Sequence, residues 1–435
     1  MVASVLSQHT EDAALLYLQR RAAVQAPHFA LLYLKRLDER LAAHLDGLCV
    51  AAQEGHAWLR EEDGELPGAL FAETVVALTV QPARLDALLT RAAALPAEFH
   101  EEVSAALGWV EADCLQGVAK ALLASPDAFR QRLGLVACVQ HGVDPGGFLQ
   151  AAFAAAAPAL RAAAAHAAGR LGLTTWRDAC LALLADPDAG VRFAAAEAGA
   201  LLGEHNQSLA LLANTALQPG PQQLDALRLW LLAAAPPDAH ALLAQLAQRP
   251  EQIRTLITGC GIAGDAQYLP WLLQQMAQPA LARLAAAAFA LITGLDLAEE
   301  DLDADGAPPA RLSEPVPPPE GAAKVLAQPS DSPGPDDDPD NDDLSKDPDE
   351  HLPWPDVAKL DAWWQANAAR FPAGTAYFMG QPRSLAVAQQ TLREGYQPQR
   401  ELAALWLALQ NPQAPVFNTA APAPRQHRAL RRIGG

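Results

Sequence analysis

The stretch DPDAGVRFAAAEAGALLG, residues 186–203, decides the fold that this chain adopts. Arg192 opens its alanine-rich part, and Gly203 follows eleven residues later. The apolar positions around them recur every three or four residues and therefore lie on one helical face: Val191, Ala195, Ala198 and Leu202. Glycine just past the last apolar position is typical of a helix C-terminus. The stretch predicts a Pro-Asp turn followed by a closely packed helix.

The same frame recurs at intervals of 26 to 36 residues, around Arg132, Arg161, Arg192, Arg228, Arg254 and Arg283. A glycine follows eleven residues later in three copies, at Gly172, Gly203 and Gly294. In two copies it follows after ten residues, at Gly142 and Gly264. The intervals leave room for a second helix in each unit, for example over residues 176–184 and 268–276. Self-similarity at this period predicts stacked helix pairs over residues 66–297.

The stretch at residues 186–203 resembles the second half of a HEAT-type repeat, and we interpret the chain as an all-α, HEAT-like α-solenoid. The resemblance implies a ladder in which an aspartate six residues before each arginine pairs along the stack. Asp186 and Arg192 have this spacing, whereas Arg161 and Arg283 lack the aspartate. We therefore expect an incomplete structural ladder made of Asp186, Arg132, Arg161, Arg192, Arg254 and Arg283.

The negative charge of the chain is concentrated in one segment. The formal net charge is −19, and residues 296–350 hold eighteen acidic and three basic residues, which leaves about −4 for the rest. Within the predicted linker, residues 298–350, the Pro-rich part at 314–350 has too few large apolar residues to offset the entropy of ordering. We predict a disordered acidic tether, which disfavours nucleic acid or an anionic membrane as a partner.

The composition changes again after the linker, where residues 351–435 hold nine of the 25 aromatic residues. We predict a small C-terminal helical module, with helices over residues 356–369 and 399–410. Trp363 and Trp364 are candidate partner-binding residues, because adjacent positions on a helix point about 100° apart and one buried face cannot easily hold both. The basic end, with Arg425, Arg428, Arg431 and Arg432, either folds back onto the tether or is a solvated tail.

Short patterns that suggest chemistry are weak in this chain. GCGIAG (Gly259, Gly261, Gly264) matches a dinucleotide fingerprint but lies at a predicted helix end without a preceding strand. DLDADG, residues 301–306, opens like a calcium loop but has Leu312 where the bidentate acid belongs. His100-Glu101 is a single His-Glu dipeptide, and His166 lies on an alanine-rich helix. We expect no catalytic residues, no cofactor and no metal.

Cysteine usage and the chain start favour a cytoplasmic protein. The five cysteines show no paired spacing, so we predict free thiols in a reducing compartment. Residues 1–65 are predicted to be an N-terminal helical segment, and the first of them lack the features of a secretory signal. The most apolar stretch, residues 148–171, is interrupted by proline and charge, which disfavours membrane insertion.

Blocks spread over the chain resemble an uncharacterised proteobacterial family of HEAT-like proteins encoded near type VI secretion spike and adaptor genes. They include LDERLAAHLDGLCVA (residues 37–51), GDAQYLPWLLQQM (264–276), LPWPD (352–356) and GYQPQRELAALWLAL (395–409). The resemblance implies a setting in contact-dependent secretion.

Stacked helix pairs offer an extended surface for protein recognition. We therefore predict a non-enzymatic scaffold or adaptor that binds a spike component or an effector. An immunity protein that masks a toxin is one alternative, and an enzyme with a site in the solenoid groove is another.

Overall fold

The computed structural model describes residues 3–55, 67–307 and 347–433. The predicted boundary at residue 65 and most of the predicted acidic tether lie outside the described residues. The chain divides into two compact units. The first is Met1–Leu211 with Leu392–Gly435, and the second is Leu212–Thr391.

The first unit is built from helices that pack against helices close to them in the sequence. Its helices up to the unit boundary are α1 (Ala3–Ala23), α2 (Leu31–Gln53), α3 (Ala69–Thr79), α4 (Leu85–Ala94), α5 (Ala97–Trp109), α6 (Val118–Leu123), α7 (Ala128–His141), α8 (Phe148–Phe153), α9 (Pro158–Arg170), α10 (Arg177–Ala182) and α11 (Ala189–Leu201). Short 3₁₀ helices occur at Pro82–Arg84, Ala112–Leu115, Thr174–Trp176 and Leu183–Ala185.

The second unit continues the same arrangement. Its helices are α12 (Gln207–Ala216), α13 (Gln223–Ala233), α14 (Pro236–Leu246), α15 (Ile253–Ala263), α16 (Leu269–Gln275), α17 (Pro279–Thr293), α18 (Val357–Asn367) and α19 (Leu385–Glu394), and the unit boundaries fall inside α12 and α19. Further 3₁₀ helices occur at Pro250–Gln252, Ala266–Tyr268 and Ala368–Arg370. The chain then returns to the first unit with α20 (Gln397–Gln410) and α21 (Ala423–Ile433).

The structure confirms the predicted all-α, HEAT-like class. Strands among the described residues form only two short antiparallel pairs. They are β1 (Asp303–Ala304) with β2 (Trp354–Pro355), and β3 (Tyr377–Phe378) with β4 (Gln381–Pro382). Helices also lie where the sequence predicted them at residues 176–184, 268–276, 356–369 and 399–410.

The arginine-bearing helices pack tightly because their contact faces carry small residues. Three apolar positions of α11 and the residue that follows the helix are all at most 1% exposed: Val191, Ala195, Ala198 and Leu202. A Cβ added at Gly169 of α9 would lie 2.6 Å from the Cα of Ala198, so these two helices approach at a glycine–alanine contact. Aspartates start two of the helices, because Asp127 and Asp188 accept hydrogen bonds from the main-chain N–H groups of Arg130 and Val191.

The repeated glycines end these helices in the left-handed conformation that favours glycine. Their φ angles lie between 67° and 83°, at Gly142, Gly172, Gly203, Gly264 and Gly294. The predicted helix stops are therefore confirmed. The five cysteines are free thiols, and burial raises the pKa of the fully buried Cys180 thiol to about 12.

Candidate functional site

The ladder is built from contacts between neighbouring repeats. Asp186 accepts two hydrogen bonds from Arg161 of the preceding repeat, at 2.7 and 2.9 Å, and this pair keeps the pKa of the Asp186 carboxyl below its usual value. Arg192 donates instead to the main-chain carbonyls of Asp186 and Pro187. Arg161 makes the same local contacts with the carbonyls of residues 155 and 156. The spacing thus places Asp186 and Arg192 in one turn, but the carboxylate pairs across the repeat interface.

The distance to the C-terminal glycine separates the arginines into two positions. Gln131 lies eleven residues before Gly142. Its side chain donates to the carbonyl of Ser125, six residues earlier, just as Arg192 donates to the carbonyl of Asp186. We call this the ladder position, and Arg161, Arg192 and Arg283 occupy it. Arg132 and Arg254 lie one residue later. Arg228 pairs with Asp225 of its own helix at 3.3 Å.

In the second unit, two aspartates from the C-terminal end of the predicted linker complete the ladder. Asp347 pairs with Arg283, and Asp349 pairs with Arg254 at 2.6 Å. The Asp-Pro-Asp turn at residues 347–349 matches the one at residues 186–188, since in both the second aspartate's N–H donates to the first carboxylate at 2.9 Å. The Arg283 guanidinium also lies 4.2 Å from the ring centroid of Trp354. This turn therefore supplies to Arg283 the aspartate that a following repeat supplies to Arg161.

Residues 374–383, here called the second-unit strap, cap helix C-termini with main-chain N–H groups. Tyr377 N–H donates to the carbonyl of Gly264 at 2.8 Å. The tip of the β3–β4 hairpin donates from Met379 and Gly380 to the last-turn carbonyls of α17, at 2.9 and 3.0 Å. The guanidinium of Arg383 adds side-chain hydrogen bonds to the carbonyls of Ile262 and Ala263, which end α15. Helix ends leave such carbonyls without an intrahelical partner, so the strap satisfies them.

Residues 411–425, the first-unit strap, run along helix ends of the first unit. Val416 N–H donates to the carbonyl of Arg170 at 2.8 Å, at the end of α9. Arg425 donates to the carbonyls of Gly108 and Val110, both at 2.7 Å, at the end of α5. The basic end is therefore not a solvated tail, because α21 docks on α2 of the first unit and Arg428 pairs with Glu111.

The two adjacent tryptophans of α18 pack on the last repeat helix. The rings of Trp363 and Trp364 lie edge-on to Phe289 of α17, with centroids 6.1 and 6.5 Å away. Both also contact the ring of Phe371 at 6.1 and 6.2 Å. Both side chains remain partly exposed. This cluster accounts for their packing, and their role in partner binding stays a prediction.

The other short patterns have structural places. Gly259 and Gly261 lie within α15, and Gly264 ends it. In the DLDADG segment, Asp303 belongs to β1, and Lys359 pairs with Asp301 at 3.2 Å. Over residues 3–55, 67–307 and 347–433, no group of three or more His, Cys, Asp or Glu side chains is arranged to hold a metal ion. None of the helices in those ranges has the length and apolar character that a bilayer crossing requires.

One face of the first unit lies beside these contacts and is partly exposed. Three exposed or half-buried positions recur on α7, α9 and α11, at two residues before and one and five residues after the ladder position. We call this surface the repeat face, and it consists of Phe129, Arg132, Val136, Ala159, Ala162, His166, Gly190, Phe193 and Glu197. The first-unit strap lies beyond it at the helix C-termini, where Asn418 donates to Gln140 at 2.7 Å.

The repeat face combines aromatic rings with charges. The Arg132 guanidinium lies 5.7 Å from the ring centroid of Phe129, and the His100 ring lies 4.5 Å away from the same ring. His166, with 47% of its side chain exposed, faces Glu197 at 3.8 Å. Aromatic anchors among polar groups are typical of protein interfaces. One sequence feature could have indicated this face: Arg132 precedes its glycine by ten residues, whereas the ladder arginines precede theirs by eleven.

A cavity of about 650 Å³ lies near the strap in the first unit. Its lining contains one charged side chain, Arg177, and otherwise hydroxyl, amide and apolar groups: Thr174, Thr175, Leu202, Gly203, Asn411, Pro412 and Gln413. This lining lacks the paired acid and base groups of general acid–base catalysis.

Comparison with known proteins supports the repeat assignment. A family model described as HEAT repeats matches residues 147–233, which include the Arg161–Asp186 pair and most of the repeat face. Comparisons with curated proteins and with solved structures gave no match. The chain thus contains HEAT-like helical repeats, and such repeats commonly mediate protein–protein interaction.

Proposed function

We propose that this chain is a non-enzymatic scaffold that binds a protein partner on the repeat face. The supporting observation is the contrast between the helix ends, which the chain's own straps occupy, and the repeat face, where His166 is exposed and the rings of Phe129 and Phe193 are partly exposed. Partly exposed aromatic rings beside charged groups supply the anchors that protein interfaces use.

We further propose that the partner belongs to a type VI secretion system, as a spike component or an effector, and that binding takes place in the cytoplasm. The support is the resemblance of the sequence blocks at residues 37–51, 264–276, 352–356 and 395–409 to a family encoded beside such genes. An adaptor of this kind needs surface recognition and no chemistry.

The test compares partner capture by variants of the repeat face. Tagged full-length protein is expressed in its native host, and captured proteins are quantified by mass spectrometry. His166→Glu places a second acid beside Glu197, and Phe193→Ser removes an aromatic anchor. The matched control is Lys120→Glu, at an exposed position of α6 that does not belong to the repeat face. We expect both face variants to lose at least about ten-fold in capture and the control to lose little.

The outcome separates the proposals. Capture of a spike component or effector that depends on the face supports the adaptor. Capture of a toxin whose lethality the protein neutralises would identify an immunity protein instead. If the partner is captured equally by wild type and both face variants, with their helical content unchanged, the repeat face is not the binding surface.

A further inference from the structure

Arg132 is a half-buried arginine on the repeat face that pairs with no carboxylate of the described residues. Its guanidinium lies over the ring of Phe129, which the His100 ring contacts as well. Burial lowers the pKa of the Arg132 guanidinium, as expected for a desolvated cation. Arginine keeps its charge in such a place and offers a planar set of donors that matches a carboxylate.

The second unit contains the same position with its partner bound. Arg254 precedes Gly264 by ten residues, as Arg132 precedes Gly142. Arg254 donates to the carboxylate of Asp349 at 2.6 Å and to the carbonyl of Ala280 at 3.0 Å. Asp349 is 91% buried at its side chain in this pair and comes from a segment outside the repeats. An arginine one residue after the ladder position therefore holds an aspartate of a non-repeat segment in this chain.

The charge of the repeat face favours an acidic occupant. The chain as a whole carries a formal charge of −19. On α7, α9 and α11, however, Arg132 on the face and Arg170 at its edge outnumber the one acid, Glu197. A protein segment with aspartate or glutamate is thus complementary to this face.

We infer that Arg132 anchors the partner by binding an aspartate or glutamate carboxylate, in the way that Arg254 binds Asp349 in the second unit. The inference rests on the proposed function, because it specifies the chemistry of the protein segment that lies on the repeat face. Phe129 and Val136 flank Arg132 on α7. The partner segment therefore carries a large apolar side chain within a few residues of its acid.

A random peptide display library selected on full-length protein tests this chemistry. The selection is run in parallel on wild type, Arg132→Gln, Arg132→Lys and the control Lys120→Gln, each checked for helical content by circular dichroism. We expect peptides selected on wild type and on the control to be enriched in Asp or Glu next to a large apolar residue. Arg132→Gln should abolish the acid enrichment and weaken the best peptide by about 10- to 100-fold, while Arg132→Lys retains part of its affinity.

The possible failures of the two proposals differ in this experiment. Peptides that bind wild type without acid enrichment, or that keep the enrichment on Arg132→Gln, overturn the carboxylate anchor and leave the scaffold function standing. If no peptide is selected on any of the four proteins while the captured partner still depends on the repeat face, the partner does not present an acidic segment and the inference is also rejected. Loss of partner dependence on the face removes the proposed function itself.

Discussion

In both units, segments from the C-terminal part of the chain cover the ends of the repeat helices, but their contacts differ. In the second unit, the second-unit strap lays main chain directly on the helix ends, and Asp347 and Asp349 complete the ladder from outside the repeats. In the first unit, the ladder aspartate Asp186 belongs to a repeat. The first-unit strap there combines main chain laid on a helix end, where a Cβ added at Gly172 would lie 2.8 Å from the Ala414 carbonyl oxygen, with side-chain donors such as Arg425. One terminal segment therefore covers helix ends in both units, and the two differ in the source of the ladder aspartates: a repeat in the first unit and the end of the linker in the second.

The largest expected effect is at Gly264, where the second-unit strap lies directly on the end of α15. A Cβ there would lie 2.1 Å from the carbonyl oxygen of Tyr377, and φ is +78°. Gly142 has the same role and φ of +68°, but nothing lies within 4 Å of its added Cβ. We expect Gly264→Ala to destabilise its unit by about 3 kcal/mol or more, because conformational strain adds to lost strap hydrogen bonds, and Gly142→Ala by about 1 kcal/mol.

Hydrogen exchange followed by mass spectrometry measures both variants locally. Gly264→Ala should speed exchange in α15, α17 and residues 374–383, whereas Gly142→Ala should affect the end of α7 alone. If the two variants show equally small changes in exchange, the strap can move to accommodate the added methyl group. The close contact at Gly264 then does not hold the strap in place.

A smaller loss of stability is expected in the first-unit strap, where Arg425 binds the end of α5. Arg425→Met keeps the aliphatic stem but leaves the carbonyls of Gly108 and Val110 without their donor. We expect a loss of about 1–2 kcal/mol, seen as a lower urea midpoint and faster exchange at the end of α5. Arg428→Met is the matched control, because its pair with Glu111 is more than half exposed on both sides and contributes about 0–1 kcal/mol. If the two variants behave alike, the Arg425 contact with α5 does not stabilise the docking of α21.

The sequence predicted the local features of this fold and missed the distant ones, for physical reasons. A helix stop such as Gly203 depends on its own φ and on the apolar period just before it, so it could be predicted. The partner of Asp186 is Arg161, 25 residues earlier, and spacing within a single repeat cannot reveal a pair across the interface.

Strap contacts lie still further apart, since Arg425 reaches Gly108 over 317 residues without any shared pattern. Two signals were nevertheless present in the sequence. The ten-residue offset separated Arg132 and Arg254 from the ladder, and the Asp-Pro-Asp turn of residues 186–188 recurs at residues 347–349.

The smallest expected effect concerns the ladder aspartate and its dependence on pH. Asp186 holds its charge to lower pH in the folded chain than in the unfolded chain, because Arg161 binds it and keeps the pKa of its carboxyl low. Its stabilising contribution is therefore present above the ordinary aspartate pKa of about 4 and is lost as the pH falls through the lower, folded value. Asp186→Asn should thus lower the unfolding temperature at pH 7 and change it less at pH 3.

Asp178→Asn, at an exposed position of α10, controls for loss of one negative charge and should leave the pH profile as in wild type. The comparison of the two units becomes sharper when Asp349→Asn is measured beside these variants by hydrogen exchange. Because Asp186 and Asp349 serve different stacks, Asp186→Asn should speed exchange in α9 and α11, and Asp349→Asn should speed it in α15 and α17. If both variants destabilise the same helices, the two ladders unfold as one cooperative element. The source of the ladder aspartate, a repeat in one unit and a segment outside the repeats in the other, then makes no difference to stability.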